Sequence, residues 1–365
     1  MSAKKRIISV FLSFAMVVGM CATAFAAESI PDVAGVTQAD YMKEVEDTIK
    51  EYIGVCEINT SDLSMSQPIP INGSNDENNR AIFLFSGTNC IALMMFTCVN
   101  NEYASSFTPA DYSEITDAFN KNENIALASN EKCMVMLTDD SWEVVTGNAD
   151  FAQEIVLSKA RASYEKQALN LTPIVFSDED MTYDSRRSTD RQTLSVTQVY
   201  NGDHPDDPKR GMCWAASMVS IALYRSGIKN LTIYDLYNML KTTYPPDGYG
   251  YPIGTCDWVE RSYKLFGLSY THKHSGTSYP NVKSIIQSRR PIYAKFDRTG
   301  GAHGVVIAGY ETTGTNNYYY KIMDPGTKVG STALTTFKLP SPGSTAFKYD
   351  SPNGYTYTDW TCHMY

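Results

Sequence analysis

Gly211-Met212-Cys213-Trp214-Ala215-Ala216-Ser217-Met218-Val219-Ser220-Ile221-Ala222-Leu223-Tyr224 is the stretch on which the fold turns. Ala216, Val219, Ser220 and Leu223 recur at i, i+3, i+4 and i+7, the packing stripe of an α-helix, and the run stops at Gly227. Cys213 therefore stands at the very start of a helix. No Ser, Thr, Asp or Asn occupies the cap, and Gly211 is a weak substitute. The first-turn N–H groups are left unclaimed by a local side chain, and their partial positive charge favours a thiolate there. An arbitrary cysteine is more often a small apolar residue packed under a helix. Its place at the helix start sets Cys213 apart.

Two further pieces lie downstream. Ala302-His303-Gly304-Val305-Val306-Ile307-Ala308-Gly309-Tyr310 reads as a strand opened by a histidine, and Ile322-Met323-Asp324-Pro325-Gly326 as a strand ended by an aspartate. A hairpin turning on Thr313-Gly314 sets His303 directly opposite Asp324. Opposed residues of an antiparallel pair lie about 4.5–5.5 Å apart, within reach of an imidazole–carboxylate hydrogen bond. A slip of one residue would turn the two side chains to opposite faces. A thiol needs an adjacent imidazole to take its proton and return it to the leaving amine. A carboxylate in turn fixes the imidazole tautomer and stabilises its charged form. Singly, a strand histidine or an Asp-Pro-Gly turn means little; their conjunction with Cys213 points to nucleophilic catalysis.

The segments GMCWAASMVSIALY, AHGVVIAGY and YYYKIMDPG resemble the papain-like cysteine peptidases. The nearest branch by this wording is the bacterial group akin to bacteriocin-leader (double-glycine) peptidases and staphopains. The resemblance covers about residues 194–365, with the motifs in family order and Arg290-Pro291-Ile292 as the run-up to the histidine strand. It implies Cys213 as nucleophile, His303 as base and Asp324 as the group orienting the base. It also implies a glutamine upstream of the cysteine as oxyanion donor. Gln198 is the candidate, and Asn201–Gly211 would have to loop out to bring it near Cys213.

The rest of the chain frames this core. Lys4, Lys5 and Arg6, then an apolar Ile7–Met20 and the small-x-small Ala24-Phe25-Ala26, read as a signal peptide over residues 1–26, cleaved near Ala26. The mature protein is expected to be secreted and free of the membrane. A net charge of −9 and a pI near 5.1 argue against a nucleic-acid surface. Of eight cysteines, Cys21 leaves with the signal, so an odd number remains and at least one thiol stays outside any intramolecular disulfide. A Cys256–Cys362 disulfide and two buried thiols are both open. No spacing resembles a CxxC metal site, His272 and His274 lack a third ligand, and no cofactor is called for.

Residues 27–176 read as an α+β unit. A helix spans Thr37–Ile53, a hairpin joins Ile82–Ser86 to Cys90–Val99 across Gly87-Thr88-Asn89, and a short helix lies near Asp111–Asn120. Strands follow at Ile125–Ala128 and Cys133–Thr138, then a helix at Ala152–Ala168. Ser177–Gln192, dense in charge and basic at Arg186, Arg187 and Arg191, reads as an exposed linker and cleavage region. Residues 193–365 form the papain-like domain, also α+β, with helices at Cys213–Arg225, Thr255–Phe266 and Asn281–Ser288 before strands Ile292–Phe296, Gly304–Tyr310 and Tyr318–Met323. This plan suggests a zymogen: an N-terminal pro-domain acting in cis on a cysteine endopeptidase whose partner is a peptide or protein substrate. Two other classes fit the same residues: an amidase or transglutaminase-like acyltransferase using the same triad, and an inert secreted binding protein.

Overall fold

The helix that opens at Cys213 sits between two other helices and a sheet, and that placement builds the site. The computed structural model describes residues 38–56, 58, 62–99, 102–130, 132–159, 164–176, 190–244, 256–314, 317–344 and 349–365. The expected signal peptide, residues 177–189 of the expected linker and residues 245–251 lie outside them. Among the described residues no helix is long and apolar enough to cross a membrane.

The Cys213–Ser226 helix is buried along most of its length and ends on Gly227 in the left-handed region, a conformation that glycine adopts without a Cβ penalty. It packs against Ile233–Thr243 and Cys256–Leu265, and one core joins Trp214, Met218, Leu236, Trp258 and Tyr263 to Tyr293, Val306 and Met364 of the sheet. The Ile233–Thr243 helix was missed by the apolar spacing. Its signal was Thr232 and Asp235, which form a capping box. On the opposite face of the sheet, the Tyr279–Gln287 helix buries Tyr279, Val282 and Ile286 against Ile292, Val305, Ile307 and Tyr320.

The long strand Gly301–Thr313 is the spine of that sheet. Ile292–Arg298 pairs with its first half and Asp190–Thr193 with its second, while Asn317–Met323 pairs along its other edge. The expected linker is therefore corrected at its end: residues 190–192 are hydrogen-bonded strand, because they complete the edge that Ile292 leaves open. Asp359–Met364 pairs with Ile292–Arg298 and carries His272–Lys273 beyond it.

On the other side the sheet runs from Asn317–Met323 to Thr335–Leu339 and then into the N-terminal half, where Thr336 pairs with Phe107 and Phe337 with Ser106. There Glu102–Pro109, Asn89–Val99 and Arg80–Ser86 continue it, the last two joined by a turn with Gly87 at φ +59°. The helix Gln38–Val55 and the α+β elements Ser113–Asn120, Asn124–Asn130 and Cys133–Leu137 lie near their expected places. The expected Ala152–Ala168 helix is shorter. It covers Ala152–Lys159, and Gln167–Ala168 is strand, paired to Asn124 and Ile125. The described residues of both halves belong to one compact unit, Val33–Tyr365.

Candidate active site

Cys213 begins its helix with Met212 as a cap residue that offers no side-chain hydrogen bond, so the first-turn N–H groups face the sulfur's surroundings unclaimed by a cap. Its side chain is half-buried, reachable yet shielded. The Gly304 amide donates to Cys213 Sγ at 3.4 Å, and Ser217 Oγ donates to the Gly304 carbonyl at 2.9 Å. Helix and strand are thus stitched together beside the thiol. Glycine is required at 304, because a Cβ there would lie 2.9 Å from Tyr293 Oη and 3.2 Å from Trp214 Cα.

His303 is buried, and its Nε2 is paired with Asp324 Oδ1 at 2.9 Å. That leaves Nδ1 free of Asp324, and the neighbouring Cys213 is one of the influences that raise the imidazole's pKa. Tyr357 stacks on the imidazole with ring centroids 5.2 Å apart. Asp324 is fully buried and well supplied with donors: Gly326 N–H to Oδ1 at 2.6 Å, Tyr349 Oη–H to Oδ2, and Ser351 Oγ–H to Oδ2 at 3.4 Å.

Burial by itself opposes charge on both members. For His303 the adjacent carboxylate, the hydrogen bond to it and the contact with Cys213 outweigh desolvation, and its pKa stands well above the ordinary imidazole value. For Asp324 the imidazole charge, the hydrogen bond to it and those from Tyr349 and Gly326 outweigh desolvation, and its pKa falls below the ordinary carboxylate value. Tyr349 is pushed up by burial and then by the Asp324 charge, so it remains a donor. The trio can hold a charged imidazole beside a sulfur nucleophile.

The contact arises by a different register from the expected one. Val306 pairs with Met323 and Ile307 with Ile322, so Asp324 reaches the level of Val305 rather than His303. The turn sits further along, with Thr313 paired to Asn317, and a bulge falls between Ile307 and Gly309. His303 lies two positions from Val305, and residues two apart share a face. The meeting survives as a diagonal contact, within reach of long side chains; a displacement of one would have abolished it.

Residues 199–340 match the family described as papain-like cysteine protease AvrRpt2. The matched segment contains Cys213, His303 and Asp324. The chain is a cysteine peptidase. No curated protein matches it.

In this peptidase the excursion before Cys213 does loop out. Asp203–His204 and Asp207–Gly211 form a small hairpin, and Met212 N–H closes it on the Gly202 carbonyl at 3.0 Å. Gln198, the expected oxyanion donor, is held against the loop that follows Asp324. Its Nε2 donates to the Ala333 carbonyl at 2.7 Å, because the same fold that closes the excursion lays Gln198 against the loop of residues 327–334. Asn201 is the amide that lies against Gly211, its Nδ2 filling the space a Gly211 Cβ would need, and its backbone N–H donates to the Pro325 carbonyl at 2.9 Å.

Cys256 and Cys362 form a disulfide, deciding a question the spacing left open. His272 lies beside it, Nε2 3.4 Å from Cys362 Sγ, with Nδ1 bonded to Glu260. The donor atoms of Cys256, His272 and Cys362 lie within 4.8 Å of one another, so His272 has sulfur neighbours that its sequence surroundings did not show, although both sulfurs are engaged in the bridge. Sequence reasoning also missed Tyr349, Ser351 and Tyr357. All three lie on short strands, Tyr349–Ser351 and Tyr355–Tyr357, too brief for a periodic signal.

Proposed function

We propose that the protein is an exported endopeptidase that cleaves peptide bonds with Cys213 as nucleophile, His303 as acid and base, and Asp324 as the group that orients and charges the imidazole. The observation that carries this is the buried His303–Asp324 pair placed beside a half-exposed thiol at an uncapped helix start. The thiolate adds to the scissile carbonyl and forms a C–S bond. Negative charge gathers on the carbonyl oxygen, toward which the Cys213 backbone N–H at the helix start is a fixed donor. The imidazolium gives its proton to the departing amine as the C–N bond breaks, and a water deprotonated by His303 then releases the acid.

Export follows from the signal-like residues 1–26. Synthesis as a precursor, cut within 177–189, is supported by the charge-dense composition of that stretch. The wording of the Cys213 and His303 segments favours kinship with the double-glycine peptidases and staphopains within the wider superfamily.

The test compares the mature chain with Cys213→Ala on casein, on a glutamine donor with an amine acceptor, and on peptidoglycan fragments. Casein cleavage by the wild type alone is the expected result, with a loss on the order of 10⁵–10⁶-fold in the variant. Amine incorporation or amide cleavage without proteolysis would replace the endopeptidase reading with acyl transfer or amidase action. Casein cleavage undiminished in the variant would overturn the assignment of Cys213.

A further inference from the structure

The hairpin made by Tyr349–Ser351 and Tyr355–Tyr357 is the back wall of the catalytic pair. Tyr349 and Ser351 donate to Asp324 Oδ2, and Tyr357 covers the His303 ring. Between the two donors stands Asp350, fully buried and pointing away from them along the alternation of the strand. Its Oδ1 accepts from Thr356 Oγ1 at 2.6 Å within the hairpin. Its Oδ2 lies 3.0 Å from Thr97 Oγ1, whose single hydroxyl proton is shared between Asp350 and Asn79 Oδ1 at 2.5 Å, and its carbonyl accepts from Ser106 Oγ at 2.5 Å. Thr97 and Ser106 belong to the N-terminal half, on Asn89–Val99 and Glu102–Pro109.

The tip of the hairpin is held the same way. Asn75 grips the Thr356 backbone from both sides, Nδ2 to the carbonyl at 2.6 Å and Oδ1 from the N–H at 2.9 Å. Asn79 Nδ2 donates to the Gly354 carbonyl at 3.0 Å, and Thr146 Oγ1 to the Pro352 carbonyl at 3.0 Å. Two more bonds reach the other side of the site. Gly147 N–H donates to the carbonyl of Thr327, just past Asp324, and Asn148 Nδ2 donates to the Asn201 carbonyl at 3.0 Å. Buried carbonyls require partners. For this hairpin, side chains of the N-terminal half supply what a neighbouring strand would. Removing that half would strip donors from a buried carboxylate and at least three carbonyls, and would uncover the Thr335–Leu339 edge now paired to Glu102–Pro109.

We propose that the N-terminal half is a standing part of the enzyme: it positions the His303–Asp324 pair through the hairpin of residues 349–357, and it stays bound after any cut within 177–189. Thr97 is a positioning residue of this device. It meets no substrate, and acts through Asp350 on Tyr349 and so on Asp324. The inference rests on the triad reading, and Cys213→Ala tests that reading separately.

Thr97→Val in the full chain keeps the side-chain shape and removes the donor. The expected result is a fall in kcat on the order of tenfold, the scale of a slightly misplaced catalytic group, with KM unchanged. The alkaline limb of the rate profile should also move to lower pH, as His303 loses part of its hold on Asp324. Thr97→Ser, which keeps the hydroxyl, should restore both. An unchanged kcat and pH limb in folded Thr97→Val would overturn the role of Thr97.

A second measurement does not depend on any substitution at the interface. A site for a specific protease is placed within 177–189 and cut in the folded protein. Co-elution of the two pieces on gel filtration with activity retained is the expected result. Departure of the N-terminal piece with equal or higher activity in the remainder would overturn the proposal and leave a discarded inhibitor in its place.

Discussion

The molecule contains two constellations of the same chemical kind. Cys213, His303 and Asp324 form one; Cys362, His272 and Glu260 form the other, each with sulfur near imidazole and imidazole bonded to carboxylate. Cys213 opens a helix, and so does Cys256, the disulfide partner of Cys362. The difference lies in what surrounds them. Cys213 is a free, half-exposed thiol beside a fully buried carboxylate with four donors. Cys362 is spent in a disulfide, and Glu260 is a partly exposed residue shared with Tyr270 and Lys264. Similar residue types therefore surround a free thiol in one place and a cross-link in the other. Reactivity follows from a free thiol, a dry carboxylate and a fixed imidazole, not from the trio of side chains.

The largest expected effect that separates the two is on the carboxylates. Asp324→Asn should lower kcat/KM by about 10³–10⁴-fold, because the imidazole loses both its orientation and the stabilisation of its charge. Glu260→Gln should leave kcat/KM unchanged. Equal losses in steady-state peptide hydrolysis would erase the distinction.

The next effect is on stability. The bridge closes a separation of 106 residues. A loop of that size corresponds to at most about 4.7 kcal/mol of constraint on the unfolded chain. Cys256→Ser with Cys362→Ser should therefore unfold at distinctly lower urea, while kcat/KM in the absence of denaturant stays at the wild-type value. A matching collapse of kcat/KM would show that the second cluster serves the reaction.

The smallest effect is a shift in pH. His303 has a raised folded pKa, so the stability it contributes is full below the unfolded imidazole value near 6.5 and is lost as pH rises through the folded value. Asp324 has a lowered one, so its contribution is present above about 3.9 and is lost as pH falls through the folded value. The alkaline limb of kcat/KM should accordingly lie well above pH 6.5, and the residual activity of Asp324→Asn should lose it at lower pH. A limb at the free-imidazole value in the wild type would contradict the charged pair. The limb reports the coupled thiol–imidazole system rather than one group.

Much of this site was legible along the chain because its parts are locally encoded. The stripe of Ala216, Val219, Ser220 and Leu223 makes a helix wherever it lies, so Cys213 had to stand at a helix start. The β-branched run after His303 had to be strand, as had the aromatic run before Asp324. The hairpin register was not legible. A bulge and a displaced turn shifted it, and the pair met because the shift preserved the face. Gln198 shows the limit of reading along the chain: its distance from Cys213 depends on how the excursion over residues 201–211 closes, and one N–H of its amide goes to the Ala333 carbonyl.

By itself the sequence determined which residues are chemically able and which local elements carry them, since helix starts, strand faces and turns follow from short-range periodicity and sterics. Only the tertiary structure decided their surroundings. Thr97 and Asp350 are 253 positions apart, and Tyr349 and Asp324 are 25 apart. Such pairings are set by the closing of a buried polar network around the sheet, where each donor is placed by the packing of the rest, and no short stretch of sequence bears their mark.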